Sequence, residues 1–313
     1  MALKTDYKDY IPPSGGRKYK ITANSDGSSS VEDITQYQQV GDTWGAEDIN
    51  QVNKLVNGAV YPNLLDNSDF TNPVNQRGST SYSGGGTYCI DRWDIASTAI
   101  VAVVSDGIKI TATTLSGIRQ KIENITDGQL LVFQLCDNAD TVYTQAFAAS
   151  TTQAEYTTDF GKFRFVLNSG GVLTISILLN AGEKTFKWAK LEKGSVATPY
   201  VPKGYGAEMA ECQRYYIRIP AWQMIGVGYC DWEGKHVFLM LPTASTMRIN
   251  PTVGTLTGTF YFGSGTTASF SYTPGVSTKP GWVVLDFSGT FTQKNQTVTG
   301  ILSGSTLELS ADL

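Results

Sequence analysis

Residues 162–192 read KFRFVLNSGGVLTISILLNAGEKTFKWAKLE, and this stretch decides the fold class of the chain. Apolar residues recur at every second position, as in Phe163, Phe165 and Leu167, which is the period of a half-buried β-strand. The breaks NSGG and NAGE are typical of tight turns, because asparagine and glycine tolerate the backbone angles that turns need. The stretch therefore predicts three successive strands with short connections.

The same pattern extends through residues 61–203. Further strand candidates are TYCIDRWDI, AIVAVVS, GIKITATT, IRQKIEN and QLLVFQLC, separated by breaks such as SDG and TDG. No helical crossover lies between them, which disfavours a parallel α/β sheet. About eight to ten short strands at this spacing predict a jelly-roll β-sandwich in the middle of the chain.

Residues 204–313 predict a second β domain. A Pro/Gly-rich join, TPYVPKGYG, precedes AEMAECQRYYI, which we interpret as a short helix or turn leading into this domain. The strand candidates that follow are HVFLMLP, TGTFYFG, TASFSYT, GWVVLDFSGTF, TVTGILSG and STLELSADL. We expect them to form a C-terminal β-sandwich, so that the chain is mainly β.

Residues 1–60 have little power to form a core. The segment RKYKITANSDGSSSVEDITQY predicts two short strands around a turn at Ser25–Gly27. It is followed by AEDINQVNKLVNGAV, where Ile49, Val52, Val56 and Ala59 are spaced 3, 4 and 3 residues apart. That spacing fits the a and d positions of a short coiled coil, and it equally fits an amphipathic helix packed on its own domain.

Composition excludes several classes of partner. Charged residues make up only 17% of the chain, the formal net charge is −4, and Lys and Arg form no run, so we expect no nucleic-acid partner. The sequence has no long apolar stretch and starts with MALKTDYKDY, which lacks the apolar region of a signal peptide. We therefore expect no membrane insertion and synthesis in a cytoplasm. The cysteines form no C-x-x-C pair and are expected to be structural and reduced: Cys89, Cys136, Cys212 and Cys230.

Enzyme signatures are missing from the sequence. Its one histidine, His236, begins an apolar strand, and the chain has no G-x-S-x-G, H-E-x-x-H or phosphate-binding glycine motif. We therefore predict no catalytic residues, no cofactor and no metal, although turn carboxylates leave calcium possible. Glycosidases need only two carboxylates, so a depolymerase stays open through Asp91, Asp94, Asp137, Asp140, Asp231 and Glu233.

Two groups of aromatic residues are candidates for sugar binding, because pyranose rings stack their C–H faces on aromatic rings. The first lies in YSGGGTYCIDRWD at 82–94 and comprises Tyr82, Tyr88, Asp91 and Trp93. The alternative for Trp93 is a place in the core, since it shares a strand face with an apolar neighbour. The second group lies in PAWQMIGVGYCDWEGK at 220–235 and comprises Trp222, Tyr229 and Trp232. Its alternative is a subunit interface, where aromatic residues are also enriched.

Three stretches, taken in order along the chain, resemble segments of phage and prophage tail-fibre and receptor-binding proteins. The first is DYIPPSGGRKYKITANSDGSSSVEDIT with GAEDINQVN, which resembles an N-terminal attachment segment. The second is the frame NLLDNSDFTNPVNQRG, IDRW and KWAKLEKGSVATPY, which is similar to a jelly-roll module of the carbohydrate-binding kind. The third is ECQRYY with MRINPTV, which looks like the entry to a fibre's C-terminal head.

This resemblance implies a homotrimer whose helices associate at a neck through Ile49, Val52, Val56 and Ala59. It implies an N-terminus that docks to a tail or baseplate protein and a distal head, residues 204–313, that meets the bacterial surface. We therefore expect a non-catalytic virion protein that attaches a particle to a bacterial glycan or protein. The alternatives are a head-fibre or baseplate decoration protein without a receptor, and a glycan depolymerase.

Overall fold

The computed structural model describes residues 11, 13–38, 48, 49, 52 and 63–312. The chain divides into two compact units, Met1–Tyr61 and Pro62–Leu313.

The first unit contains the predicted hairpin. Strands β1 (Tyr19–Ala23) and β2 (Ser29–Asp33) pair antiparallel, with Ile21 opposite Val31. Every residue of both strands is exposed, and the side chain of Ile21 is 70% exposed. Because Tyr19, Ile21 and Val31 share one face of the ribbon, that face is an uncovered apolar stripe. The ribbon has no core of its own within the described residues.

Only part of the predicted neck helix can be assessed. Ile49 and Val52 are helical and exposed, at 46% and 37%. Val56 and Ala59 lie outside the described residues. The trimerising coiled coil therefore stays a prediction.

Residues 81–193 form a sandwich of two six-stranded antiparallel sheets. The strands of the first sheet are β3 (Ser81–Ser83), β6 (Ile100–Val104), β7 (Gly107–Ala112), β9 (Leu130–Asp137), β10 (Val142–Ala148) and β14 (Gly182–Lys193), in the spatial order β10-β9-β14-β7-β6-β3. The strands of the second are β4 (Tyr88–Ile90), β5 (Trp93–Ala96), β8 (Ser116–Ile122), β11 (Ala154–Thr157), β12 (Gly161–Leu167) and β13 (Leu173–Leu179), in the order β11-β12-β13-β8-β5-β4. The chain passes repeatedly from one sheet to the other, as in jelly rolls. The predicted β-sandwich is confirmed.

The core of this sandwich follows from alternation along the strands. In β12, Phe163, Phe165 and Leu167 are buried, while the residues between them are partly exposed. Phe165 stacks on Phe147 of β10, with ring centroids 3.8 Å apart, and Phe133 of β9 meets Phe163 edge-on at 5.0 Å. These aromatic contacts hold the two sheets together between β10 and β12.

The C-terminal part begins with a short helix and continues as strands. The helix α1 (Tyr205–Cys212) lies in the segment interpreted as a helix or turn. A two-stranded ribbon pairs β15 (Tyr216–Ile219) with β23 (Leu307–Ser310). The remaining strands form a seven-stranded antiparallel sheet. They are β16 (Met224–Cys230), β17 (His236–Pro242), β18 (Leu256–Phe262), β19 (Thr267–Tyr272), β20 (Gly275–Lys279), β21 (Trp282–Ser288) and β22 (Gln296–Leu302), in the order β19-β18-β22-β16-β17-β21-β20.

This seven-stranded sheet curls over its own core. Strands β18 and β21 are four positions apart, which is about 19 Å in a flat sheet. The rings of Phe260 in β18 and Phe287 in β21 nevertheless have centroids 5.2 Å apart. Gly226 lies at a register shift in the central strand β16 and has a φ of 142°, so a bulge bends the sheet there. The two packed layers of the C-terminal fold are thus halves of one sheet.

Polar contacts join the sandwich to the C-terminal fold within the second unit. Arg77 forms an ion pair with Asp312 at 2.9 Å, and its guanidinium lies 3.9 Å from the centre of the Tyr216 ring. On another part of this junction, Arg248 pairs with Glu123 at 2.9 Å. Because Arg77 is largely buried, the sandwich and the C-terminal fold share a packed interface and are joined by more than the covalent chain.

Candidate functional site

Two members of the first predicted aromatic group are buried. Trp93 is fully buried, its Nε1 donates to the Asn67 carbonyl oxygen at 2.9 Å, and its ring meets Phe70 edge-on at 5.2 Å. Asp91 is also fully buried and faces Arg77, with Nε–Oδ1 at 3.7 Å. Burial raises the pKa of Asp91 to about 6. Neither side chain has a surface on which a sugar can stack or form hydrogen bonds.

The two tyrosines of that group are half-buried and already engaged. Tyr88 lies under the Arg77 guanidinium, 4.7 Å from its ring centre, and burial raises its pKa to about 12. The hydroxyl of Tyr82 donates to Asn75 Oδ1 at 2.6 Å and accepts from the Ser79 amide. Tyr88, Asp91 and Arg77 thus belong to the junction with the C-terminal fold. The structure does not bring the four residues together in an open site.

The second predicted group is strongly exposed. Trp222 and Trp232 are 73% and 76% exposed in the turns before and after β16, and Tyr229 within the strand is 52% exposed. The Trp222 amide donates to Leu302 O, which ties the first turn to β22. Asp231 holds the second turn, since its carboxylate accepts from the Lys235 amide at 2.8 Å. The backbones of both turns are therefore fixed while the two indole rings remain in solvent.

A larger apolar surface surrounds Tyr229, and sequence reasoning identified no other member of it. Its members lie on the outward side of β16, β17 and β21, and we call them the aromatic face: Val227, Tyr229, Phe238, Met240 and Trp282. The cross-strand partners Tyr229 and Phe238 have ring centroids 5.3 Å apart. The segment HVFLMLP is apolar along almost its whole length, so the sequence does not show which of its residues face the core and which face solvent. The one available signal was that alternate residues of a strand lie on opposite sides.

The flank of the same sheet side is rich in hydroxyl groups. The outward positions of β18, β19 and β22 include Thr257, Thr259, Ser269, Thr297 and Thr299. Apart from the exposed Tyr261 and the half-buried Ile301, the outer surface therefore changes from aromatic to hydroxyl-bearing across the sheet. Such a surface offers both ring faces and hydrogen-bonding groups to a ligand.

The only histidine of the chain lies beside the aromatic face. His236 Nδ1 is 2.8 Å from Asp286 Oδ1 and 3.4 Å from Ser288 Oγ, and its ring stacks on Phe238 at 5.5 Å. The hydrogen bond with Asp286 raises the pKa of His236. A hydrolytic triad places carboxylate and hydroxyl on different ring nitrogens, whereas here both lie at Nδ1.

The carboxylates considered for a glycosidase site are each engaged elsewhere. Asp94 pairs with Arg119 at 2.8 Å, and Asp137 pairs with Lys184 at 2.8 Å. The remaining partners are Arg77 for Asp91, Lys187 for Asp140, the turn amides for Asp231 and Lys235 for Glu233.

Three further properties describe the chemistry available. All four cysteines are buried and unpaired, as predicted for structural thiols, and burial raises the pKa of Cys89 to about 12. Among residues 63–312 and the described N-terminal residues, no three His, Cys, Asp or Glu side chains cluster as metal ligands. In the same part of the chain, no helix has the length and apolarity to cross a bilayer.

Comparisons with known proteins add little. No protein-family model matches the chain, and neither does any curated protein. Among solved structures it is similar to the N-terminal tandem of CBM22 domains from Paenibacillus barcinonensis Xyn10C, at 8% identity, 81% coverage of this chain and 91% of that chain. The TM-score is 0.20, which is too low to carry an argument about fold or ligand. The fold described above rests on the sheets themselves.

Proposed function

We propose that the chain is a non-catalytic attachment protein of a phage or phage-like particle, a tail fibre or receptor-binding protein of the virion. The single observation that carries this proposal is the exposure of Trp222 and Trp232 at the two ends of β16. The resemblance of three stretches to tail-fibre proteins supports the particle assignment. The partner at these residues is a glycan or protein of the bacterial surface.

The physical reason is the cost of leaving large rings in water. Full burial of a large apolar side chain stabilises a structure by roughly 1.5–3 kcal/mol, and two indoles about three-quarters exposed forgo most of that gain. Single exposed apolar residues are ordinary, but a connected apolar surface marks an interaction site. Indole rings on fixed turns suit this role, since little conformational freedom is lost when a ligand stacks on them.

The N-terminal unit supports docking and self-association. The ribbon of β1 and β2 exposes Tyr19, Ile21 and Val31 on one face, and an isolated two-stranded hairpin is at best marginally stable in water. Its association with a tail or baseplate protein, or with two copies of itself, covers that stripe. We propose a homotrimer, in which three weak sites act together and give avidity.

Binding of the labelled full chain to a panel of bacteria tests the proposal. We expect the double variant Trp222→Ala/Trp232→Ala to bind at least about tenfold more weakly, because each exposed anchor contributes more than about 1 kcal/mol. Tyr205→Ala is the matched control, since Tyr205 is an exposed aromatic on α1 outside this surface. Equal binding by the double variant and the wild type would contradict the assignment of the site.

Two measurements address the alternatives. Light scattering should give a mass near three times 33.9 kDa, and a well-folded monomer would remove the fibre proposal. Incubation with bacterial polysaccharides should release no new reducing ends, and their appearance would favour a depolymerase. If the wild-type chain binds no bacterium in the panel, the aromatic face is better explained as contact surface of a decoration protein.

A further inference from the structure

A cleft of about 320 Å³ lies at the edge of the sandwich, and none of its lining residues belongs to the aromatic face. It is bordered by β10 and β11, which are the edge strands of the two sheets on the same side. Its volume falls at the lower end of the range for small-molecule sites, about 300–1,000 Å³.

Aromatic side chains form the apolar part of the cleft. Tyr143 projects from β10 and Tyr156 from β11, both half-buried, and Phe163 of β12 lies beneath them. Tyr143 is steadied by Phe160, which it meets edge-on at 5.0 Å, and Tyr156 contacts Phe165 at 5.8 Å. Two tyrosines from opposite sheets thus line the same cleft.

Hydrogen-bonding groups surround the tyrosines, and one of them is a carboxylate. The polar residues that line the cleft are Thr144, Gln145, Thr157, Thr158 and Asp159. The Tyr143 hydroxyl lies 3.2 Å from Asp159 Oδ2 and 3.3 Å from Lys184 Nζ. It also lies 3.3 Å from Asp137 Oδ2, so the tyrosine hydroxyl is oriented by three charged groups.

Asp159 is the one charged side chain among the residues that line the cleft. Lys184 is paired with Asp137 at 2.8 Å, and Glu155 on β11 is paired with both Lys162 at 2.7 Å and Arg164 at 2.8 Å, none of which lines the cleft. Among the described residues, Asp159 forms no ion pair within 4.0 Å. A second carboxylate brought into the cleft would therefore lie beside the negative charge of Asp159, with no cation in the lining.

We propose that this cleft binds a neutral or amino-bearing pyranose unit and discriminates against acidic sugars. The ring face of the sugar stacks on Tyr143 or Tyr156, and Asp159 accepts hydrogen bonds from its hydroxyl or amino groups. This inference deepens the proposed attachment role and rests on it only for the source of the sugar, a bacterial surface glycan. It gives the chain a second recognition point besides the aromatic face.

The test compares pairs of sugars in which a carboxylate replaces the C6 hydroxymethyl group. Glucose with glucuronate, and galactose with galacturonate, are titrated against the full chain by ligand-observed NMR, and glucosamine is added as the cationic probe. We expect the affinity for each neutral sugar to exceed that for its uronate by up to about fivefold, because Asp159 is exposed and two charges about 4 Å apart in water repel by about 1 kcal/mol. Asp159→Asn should bring the two affinities together. Asp127→Asn is the matched control, because Asp127 is an exposed carboxylate in the β8–β9 loop, outside the cleft lining. Tyr156→Ala should abolish binding of both members of a pair.

The outcomes separate this inference from the proposed function. If the chain still binds sugars after Trp222→Ala/Trp232→Ala but no longer does so after Tyr156→Ala, the cleft is supported as the sugar-binding site. Preference of the wild type for uronates, or an unchanged ratio in Asp159→Asn, overturns it. If the wild type binds none of these sugars but still attaches to bacteria through the tryptophans, the cleft is refuted and the attachment role stands. If the sugars bind in the cleft while attachment fails, the attachment role is refuted alone.

Discussion

The substitution Asp91→Asn should remove a specific pH dependence of stability. Burial raises the pKa of Asp91 from 3.8 to about 6, although Arg77 and the Gln76 amide favour its charged form. The folded chain therefore holds this proton more tightly than the unfolded chain. The resulting stability is fully present below about pH 4 and is lost as the pH rises through about 6.

The magnitude follows from the pKa difference between the folded and unfolded chain. A difference of about two, at roughly 1.4 kcal/mol for each tenfold change in proton affinity, corresponds to about 3 kcal/mol. The amide introduced by Asp91→Asn would stay neutral throughout, and it can still accept from Gln76 Nε2, which lies 2.8 Å from Asp91 Oδ2. Between pH 3 and pH 7, the wild type should lose about 3 kcal/mol of unfolding free energy relative to the variant.

Urea unfolding at several pH values measures this difference. Circular dichroism and tryptophan fluorescence should give coincident transitions before unfolding free energies are compared. Among the other buried acids at the junction, Glu208 also has a raised pKa, but it is common to both proteins and largely cancels. Asp312 shares Arg77 with Asp91, so its own raised pKa changes with the substitution and contributes to the difference. If the variant and the wild type change in parallel across this range, the assignment of a raised pKa to Asp91 is refuted.

Two further predictions concern the C-terminal sheet. A Cβ at Gly228 would lie 1.7 Å from the Phe238 carbonyl oxygen, so Gly228→Ala should destabilise by about 2 kcal/mol and lower Tm by roughly 5 °C. Gly254→Ala, where nothing lies within 4 Å, should leave Tm unchanged, and equal shifts in calorimetry would contradict the steric argument. Asp286→Asn should lower the pKa of His236, because it removes the hydrogen bond that raises it. The single histidine gives one resolved NMR titration, and an unmoved midpoint would disprove this coupling.

Strands with one buried face could be predicted from sequence. In residues 162–192 all three expected strands are present as β12, β13 and β14, because alternation and turn residues agree there. The hairpin of β1 and β2 was predicted for the same reason. Hydrophobic period and turn chemistry are local properties, and a sequence displays them directly.

The edge strands and the sites could not be predicted so well. Strands β10 and β11 were missed because their residues are mostly polar or exposed, as in VYTQAFA and AEYT, and the cleft lies between those two strands. The sequence made both Trp93 and Trp222 candidates for a ligand, with the core as the alternative for the first and a subunit interface for the second, and the structure buries one and exposes the other. Which ring reaches solvent depends on how distant strands pack, and that information is not local.

The pairing of β15 with β23 also bears on how the chain acquires its structure. Tyr216 and Ser310, which face each other in this ribbon, stand at opposite ends of the C-terminal fold in the sequence. Contacts between such distant positions are slow to form, since a long loop must close first. During synthesis, the apolar strands between them cannot be enclosed by this pairing until β23 has left the ribosome. Completion of this fold therefore requires its last strand, β23.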